Sequence, residues 1–228
     1  MKKFIVISLF TLFSSISTAH IAHYNDYKKI EMEIFRNGEL IGFSNYFFNR
    51  KGNETIITNQ TKFSVKIFGA TIFKVEGYSN EKYLHDQLIS FNSKTLQNDK
   101  EKFVNLIFDE GSRKFKIKGS SNEGEASIDN IVGNWWNHKI LQASSQISPI
   151  SGSIKEQVVT FIGKEKIEQY GKVYNVSRFT LKSKNMSLPK EKRLNFNIWY
   201  DEKNFQIIKI KYSKMGNWEY RLKSFEKK

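Results

Sequence analysis

The side chains best suited to binding a transition metal are the four histidines, because the chain contains no Cys. The lack of Cys also excludes disulfides, iron–sulfur clusters and thiol catalysis. If the chain is cut after Ala19, the free amine and imidazole of His20 can chelate copper, with His23 nearby. The competing interpretation, which we favour, is an unstructured tail, since termini are mostly disordered unless contacts fix them. We expect no metal and no cofactor, at these two positions or at His85 and His138.

No stretch of the sequence carries a familiar catalytic or nucleotide-binding signature. The serine-hydrolase elbow, the phosphate-binding loop, the dinucleotide-binding glycine pattern, the zinc-protease pair and the EF-hand are all missing from it. Acidic pairs such as Asp129 with Asp109 or Glu110 have no spacing that fixes the roughly 5–10 Å separation of glycosidase carboxylates. We therefore predict no catalytic residue and expect that the protein is not an enzyme.

One cluster of large and polar side chains, Trp135-Trp136-Asn137-His138, interrupts an otherwise regular pattern. Two tryptophans can fill a gap where a sheet folds over, because each buries a large apolar area. Alternatively, the cluster forms the floor of a ligand cavity, where Asn137 orients a polar group. The predicted ligand-binding residues combine this cluster with inward-facing aromatic and aliphatic side chains: Trp135, Trp136, Asn137, Phe63, Phe73, Phe196, Ile198 and Trp218.

The chain is strongly basic, with 37 Lys and Arg against 23 Asp and Glu and a formal charge of +14. Lysines alternate with apolar residues in several segments, as at Lys62, Lys66 and Lys74. Such stripes are typical of the solvent-exposed face of a sheet whose other face is buried. They also fit attraction to anionic head groups or anionic glycans of the cell envelope. Nucleic acid is not an expected partner, because the chain carries an export signal.

That signal occupies the first residues of the chain. Lys2 and Lys3 precede an apolar run, Phe4 to Phe13, which is too short to span a bilayer. Ser17-Thr18-Ala19 fits the small-x-small cleavage rule, so we predict a signal peptide over residues 1–19 and a periplasmic mature chain. An uncleaved anchor is the alternative. Cleavage removes two lysines and leaves a charge of +12, and no later stretch is long and apolar enough to span a membrane.

From about Tyr27 onward, apolar and polar residues alternate with a period near two, which predicts β-strands with one buried face. Asn37-Gly38 is a strong hairpin signal, since both residues tolerate the positive φ of a type I′ turn. Short turns of this kind recur along the chain and indicate antiparallel neighbours. Strands are expected in the second half at 155–162, 173–182, 193–200, 205–212 and 217–224.

The alternation stops between Ile131 and Ser148, where we expect a short helix or packed loop acting as a plug. Residues 20–228 otherwise form a single domain. The predicted fold is all-β: one antiparallel meander of ten or more strands, curled into a barrel, half-barrel or clam. Curling is expected because exposed strand edges pair with other chains unless the sheet closes or is covered. A curled sheet of this size leaves a concave interior.

The order and spacing of residues follow a known pattern in several stretches, including Asn37 to Gly42, Phe63 to Tyr78, Trp136-Asn137 with the nearby Ile140-Leu141, and Leu194 to Asp201. These stretches resemble an uncharacterised family of exported proteobacterial proteins, domain of unknown function 6134. The resemblance extends over nearly the whole mature chain. It implies an exported all-β protein and no established activity, ligand or catalytic residue.

Three functions are compatible with these features. The first is a non-enzymatic periplasmic protein that binds a lipid or another amphipathic ligand in its curved sheet. The second is an assembly partner in the envelope, whose sheet edges or tryptophans dock onto another protein. The third is a hydrolase of envelope glycans or lipids, which would need a cluster of carboxylates or histidines in a cleft.

Overall fold

The computed structural model describes residues 24–228, so the predicted signal peptide, His20 and His23 lie outside the described residues. Fifteen strands account for most of this range. They are β1 Tyr27–Arg36, β2 Glu39–Lys51, β3 Glu54–Ile67, β4 Ala70–Leu84, β5 Gln87–Gln97, β6 Lys100–Asp109, β7 Lys114–Gly119, β8 Asn122–Ser127, β9 Ile131–Val132, β10 Ser145–Ile147, β11 Ile154–Gln169, β12 Lys172–Ser183, β13 Asn195–Asp201, β14 Ile207–Ser213 and β15 Asn217–Lys227.

All fifteen strands belong to one sheet, in the order β8-β7-β6-β5-β4-β3-β2-β1-β15-β14-β13-β12-β11-β10-β9. Neighbours are antiparallel except for the short pair β9 and β10. Nearly every neighbour in space is also a neighbour in sequence, as the short turns predicted. The exception is the ladder between β1 and β15, which joins the two halves of the sheet. The expected all-β meander is confirmed, and its hydrogen-bonded ladder stays open.

The turns between strands have the backbone geometry that the hairpin signals predicted. Asn37 and Gly38 adopt φ values of 51° and 87°, and both residues of a type I′ turn need such positive values. The same arrangement recurs at Phe68 and Gly69, with φ values of 48° and 81°. Asn is among the residues that adopt this conformation most readily, whereas Phe is not. The side chain of Phe68 is nevertheless fully exposed at the tip of its turn.

Because consecutive strands are antiparallel, alternate turns collect at opposite ends of the sheet. One end, here called the open end, has its turns joined by hydrogen bonds: the Asn37 N–H donates to the Asn217 carbonyl (2.7 Å), and Lys214 Nζ donates to the Glu191 carbonyl (2.8 Å). The open end comprises residues 36–40, 66–74, 97–102, 118–123, 148–155, 184–194 and 213–217. The other end, here called the plug end, comprises residues 24–28, 50–54, 84–87, 109–114, 201–206 and 225–228.

Residues 131–148, the plug, fill the interior between the two halves of the sheet. They contain the predicted short helix, a single 3-10 turn over His138–Leu141. Gln157 on β11 holds this segment by donating from Nε2 to the carbonyls of Ile140 (2.8 Å) and Ala143 (2.9 Å). Trp136 is completely buried. The plug therefore forms the centre of the main hydrophobic core at the plug end.

A second layer covers part of the outside of the sheet. The distal half of the β11–β12 hairpin bends at a bulge beside Gly163 and lies over β13–β15. Trp199 donates its indole N–H to Glu165, and Gln169 Nε2 donates to the Leu222 carbonyl (2.6 Å). Trp199 points outward from β13, because its neighbours Ile198 and Tyr200 point inward. The covering hairpin explains why Trp199 is nevertheless buried.

The two ends of the sheet approach each other at the open end without closing the ladder. The Ser121 N–H donates to the Ser151 carbonyl (3.0 Å). Gly119 makes this approach possible, because a Cβ there would lie 2.6 Å from the Ser151 oxygen.

We expect Gly119→Ala to lower the free energy of unfolding by about 1–3 kcal/mol, since the added methyl forces the two backbones apart. Urea unfolding followed by intrinsic fluorescence measures the effect. Gly77→Ala is the matched control, because a Cβ there meets nothing closer than Thr95 Oγ1 at 3.4 Å. Equal stability of the two variants would show that the backbone contact is unimportant.

Candidate ligand-binding site

Six aromatic side chains form a continuous series on the inner face of the sheet at the open end. This series, here called the aromatic row, crosses both halves of the sheet. Its ring centroids are 4.9 Å apart for Trp135 and Phe196, 5.2 Å for Phe196 and Tyr212, 5.7 Å for Tyr212 and Trp218, 5.4 Å for Trp218 and Phe63, and 6.0 Å for Phe63 and Phe73.

Strand register explains why these residues meet. Tyr212 and Trp218 are direct cross-strand partners on β14 and β15, and their rings are stacked within 7° of parallel. Phe63 and Phe73 come from adjacent positions on β3 and β4, where Val65 pairs with Phe73. The ladder between β1 and β15 then brings Trp218 to within contact of Phe63. The row therefore depends on the pairing of the two halves.

The row is reachable from solvent. Trp218 is buried, with 7% of its surface exposed, whereas Trp135, Phe196, Tyr212, Phe63 and Phe73 are only partly buried. Partial exposure is unusual for aromatic side chains on the inner face of a curled sheet, where the pattern of alternation buries most residues. Ile34 and Val65, which pack against the row, are buried. The row is therefore a partly exposed apolar surface that continues into a small buried cluster.

A strip of small polar residues borders the row on the same face. Ser44 Oγ lies 2.8 Å from Thr61 Oγ1, and Asn59 Nδ2 donates to Ser44 Oγ (3.0 Å). Thr61 is two residues before Phe63 on β3, so the strip adjoins the row at Phe63. An apolar wall beside hydroxyl and amide groups can bind a molecule with both apolar and polar parts.

Five of the eight predicted ligand-binding residues belong to the row, namely Trp135, Phe63, Phe73, Phe196 and Trp218. The other three do not line it. Trp136, Asn137 and Ile198 are buried in the main core, and Asn137 Oδ1 accepts from the Lys139 N–H (3.1 Å) at the start of the 3-10 turn. Tyr212 was not predicted, although its place in the alternating strand 207–213 puts it on the inner face.

Trp136 is enclosed by other aromatic rings. The edges of Tyr24, Phe48 and Tyr83 contact it at centroid distances of 5.1, 5.5 and 6.0 Å. Its indole Nε1 donates to Glu81 Oε1 at 2.8 Å. These contacts support the interpretation of this tryptophan as the residue that fills the gap where the sheet folds over.

Glu81 is a buried carboxyl that sequence reasoning missed. Asn134 Nδ2 also donates to Oε1 (2.6 Å), and the Tyr83 hydroxyl donates to Oε2 (2.7 Å). Burial raises the pKa of Glu81 from 4.5 to about 7, although the three donors favour its ionised form. The available signal was its position between Ser79 and Tyr83, which places it on the inner face of β4.

Two other residues that the sequence offered for chemistry, His138 and Asp109, make contacts within the fold. His138 is buried, with Nδ1 3.2 Å from the Tyr24 hydroxyl, and its ring stacks on Phe205. Asp109 Oδ1 accepts from the Gly111 N–H (2.9 Å) in an exposed turn.

In the range 24–228, no group of three or more His, Asp or Glu side chains could hold a metal ion. Over the same range, no helix is both long and apolar enough to cross a membrane.

Two open grooves of about 310 and 370 Å³ lie on the outer face of the sheet rather than inside it. Outward-facing residues such as Tyr78 and Asn92 line the smaller groove, and Glu33 and Phe43 line the larger one. The plug occupies the interior that the curled sheet was expected to leave hollow. The aromatic row at the open end is a partly exposed region of the inner face.

Comparison with known proteins gives a family and a related fold. A family model described as "Domain of unknown function (DUF6134)" matches residues 32–223. A beta-barrel-like protein of domain of unknown function DUF1849 from Brucella abortus aligns with a TM-score of 0.58 and 10% identity, over 88% of this chain and 96% of that one. A Bacteroides fragilis protein with a YmcC-like fold aligns over 87% and 94% at 10% identity, with a TM-score of 0.35, too low to establish a shared fold. No curated protein matches the chain.

Proposed function

The chain belongs to the DUF6134 family of domains of unknown function, and from its geometry we propose that it is an exported protein that binds the apolar part of a lipid or similar amphipathic ligand along the aromatic row. One observation carries the proposal. Five of the six aromatic side chains of the row are partly exposed, and each member of the row contacts the next, with the buried Trp218 joining Tyr212 to Phe63. Leaving such a surface in water is unfavourable, by about 25 cal/mol for each Å².

The ligand class follows from the chemistry of the two surfaces. The aromatic rings of the row can pack against the alkyl chains or rings of an apolar ligand. In the adjoining strip, the partly exposed Asn59 and Thr61 carry an amide and a hydroxyl group for a polar segment, and the buried Ser44 hydrogen-bonds both of them. The alternative in which Trp135 and Trp136 dock onto another protein receives less support, because Trp136 is completely buried.

Binding of cis-parinaric acid, a fluorescent fatty acid, tests the proposal. We expect saturable binding by the purified protein, with quenching of tryptophan fluorescence because Trp218 and Trp135 belong to the row. Phe63→Ser should weaken binding at least about tenfold, since it removes one large apolar contact.

Phe43→Ser is the matched control. Phe43 is the same residue type on the neighbouring strand β2, but it points outward and is 38% exposed. Its replacement should leave the affinity unchanged. An equal loss in both variants, or no saturable binding by the wild-type protein, would refute the proposal.

A further inference from the structure

The turns at the open end carry an unusual number of exposed apolar side chains. Phe68 is fully exposed at the tip of the β3–β4 turn, and Met215 is 86% exposed at the tip of the β14–β15 turn. Met186 in the loop before β13 and Leu40 at the start of β2 are more than half exposed. All four lie at the same end of the sheet because the strands between them alternate in direction. Single exposed apolar residues need no explanation, but a set on adjacent tips indicates a contact surface.

The same end is strongly positive. Its seven segments contain twelve Lys and Arg against five Asp and Glu, whereas the six segments of the plug end contain eight of each. The segments of the open end therefore carry a formal charge of +7, whereas those of the plug end carry no net charge. Such an asymmetry orients a protein toward an anionic surface.

The positive groups are crowded where the turns meet. Lys155 Nζ donates to the Lys192 carbonyl (3.4 Å), and Lys214 Nζ donates to the Glu191 carbonyl (2.8 Å), so both ammonium groups lie against the same loop. Burial and the neighbouring charge of Lys214 lower the pKa of Lys155. A negatively charged partner would relieve this repulsion.

We propose that the open end is a docking surface for an anionic phospholipid bilayer, with the tips of Phe68, Met215, Met186 and Leu40 entering the interface and the surrounding lysines contacting lipid head groups. Exposed aromatic and thioether side chains bordered by Lys and Arg are the combination that such an interface attracts. The aromatic row opens at this end. If the row binds lipid, as proposed above, docking would place it against the membrane from which a lipid enters. That last step rests on the proposed function, and the docking does not.

Flotation with phospholipid vesicles tests the docking. We expect the protein to bind vesicles containing 30% phosphatidylglycerol in phosphatidylcholine at low salt, and to bind pure phosphatidylcholine vesicles much more weakly. Replacing Lys66 and Lys214 with Ser should weaken binding to the anionic vesicles about 10- to 30-fold, because each lysine near such a surface contributes roughly three- to fivefold.

A double variant at the plug end, Lys51→Ser with Lys203→Ser, has the same net charge and is the control. It should bind as the wild type does. Equal loss in both double variants would mean that net charge alone drives binding, and it would overturn the assignment to the open end. The absence of binding to anionic vesicles would overturn the proposal altogether.

The apolar tips are tested separately. Phe68→Asn keeps a residue that tolerates the positive φ of this turn and should weaken vesicle binding several-fold. Leu84→Ser, an exposed apolar residue beside a plug-end turn, should have no effect. Phe68→Asn should also retain cis-parinaric acid binding, and Phe63→Ser should retain vesicle binding. These two variants therefore distinguish a failure of docking from a failure of ligand binding.

Discussion

A Trp136→Ala variant is expected to lose about 4 kcal/mol of unfolding free energy, because it removes a completely buried indole from the core. The cavity left behind would be bounded by Tyr24, Phe48 and Tyr83, which contact the indole on three sides. These rings belong to separate strands or to the segment before β1, and partial collapse around the cavity would disturb each of them. The variant would also remove one of the three donors to the Glu81 carboxyl.

Urea unfolding measures this loss, and Trp135→Ala is the control. Trp135 is the neighbouring residue of the same type, but it is only partly buried and contacts Phe196 in the row. Its replacement should cost less than half as much. The variant Trp136→Ala should retain its secondary structure at low denaturant. A loss below about 1 kcal/mol for Trp136→Ala would mean that the plug does not support the core.

Glu81→Gln should remove a pH dependence of stability that the wild-type protein shows between about pH 4.5 and 7. The folded protein holds the Glu81 proton up to about pH 7, whereas the unfolded chain releases it near pH 4.5. The unfolded state therefore binds fewer protons in this window, and stability falls as pH rises. A shift of this size corresponds to a loss of about 3 kcal/mol, complete once pH exceeds the folded pKa.

Gln has the shape of protonated Glu and keeps an oxygen for Trp136 and Asn134, while the Tyr83 hydroxyl can accept from its amide. The expected result is a urea midpoint that changes less with pH in the variant than in the wild type. Glu123→Gln, which alters an exposed carboxyl on β8, serves as the control and should reproduce the wild-type profile. A profile for Glu81→Gln that matches the wild type would assign the pH dependence to other groups.

Local sequence signals were sufficient for the strands and most turns. Alternation with a period of two is a property of neighbouring residues, so it identified strands such as β14, which was expected at 205–212 and lies at Ile207–Ser213. The turn at Asn37-Gly38 was also predictable, because Asn and Gly are the residues that most readily adopt the positive φ values of a type I′ turn. The break in alternation indicated the plug at residues 131–148. In each case the information lay within one continuous stretch of sequence.

Features that depend on pairing between distant segments could not be predicted in this way. Alternation places Trp218 and Phe63 on inner faces, but it does not show that β15 lies beside β1 and so brings the two rings together. Similarly, nothing local indicates that the β11–β12 hairpin folds over β13, where Glu165 meets Trp199. Glu81 was missed for the same reason, because its donors Asn134 and Trp136 come from the plug.

The ladder between β1 and β15 has a consequence for how the protein acquires its structure. Each half of the sheet consists of hairpins between successive segments, which form quickly because little chain entropy is lost in closing short loops. The two halves unite only when Ile34 pairs with Tyr220, after nearly the whole intervening polypeptide is available. Such distant pairing makes folding slow. The complete sheet can therefore form only once β15 is available to pair with β1.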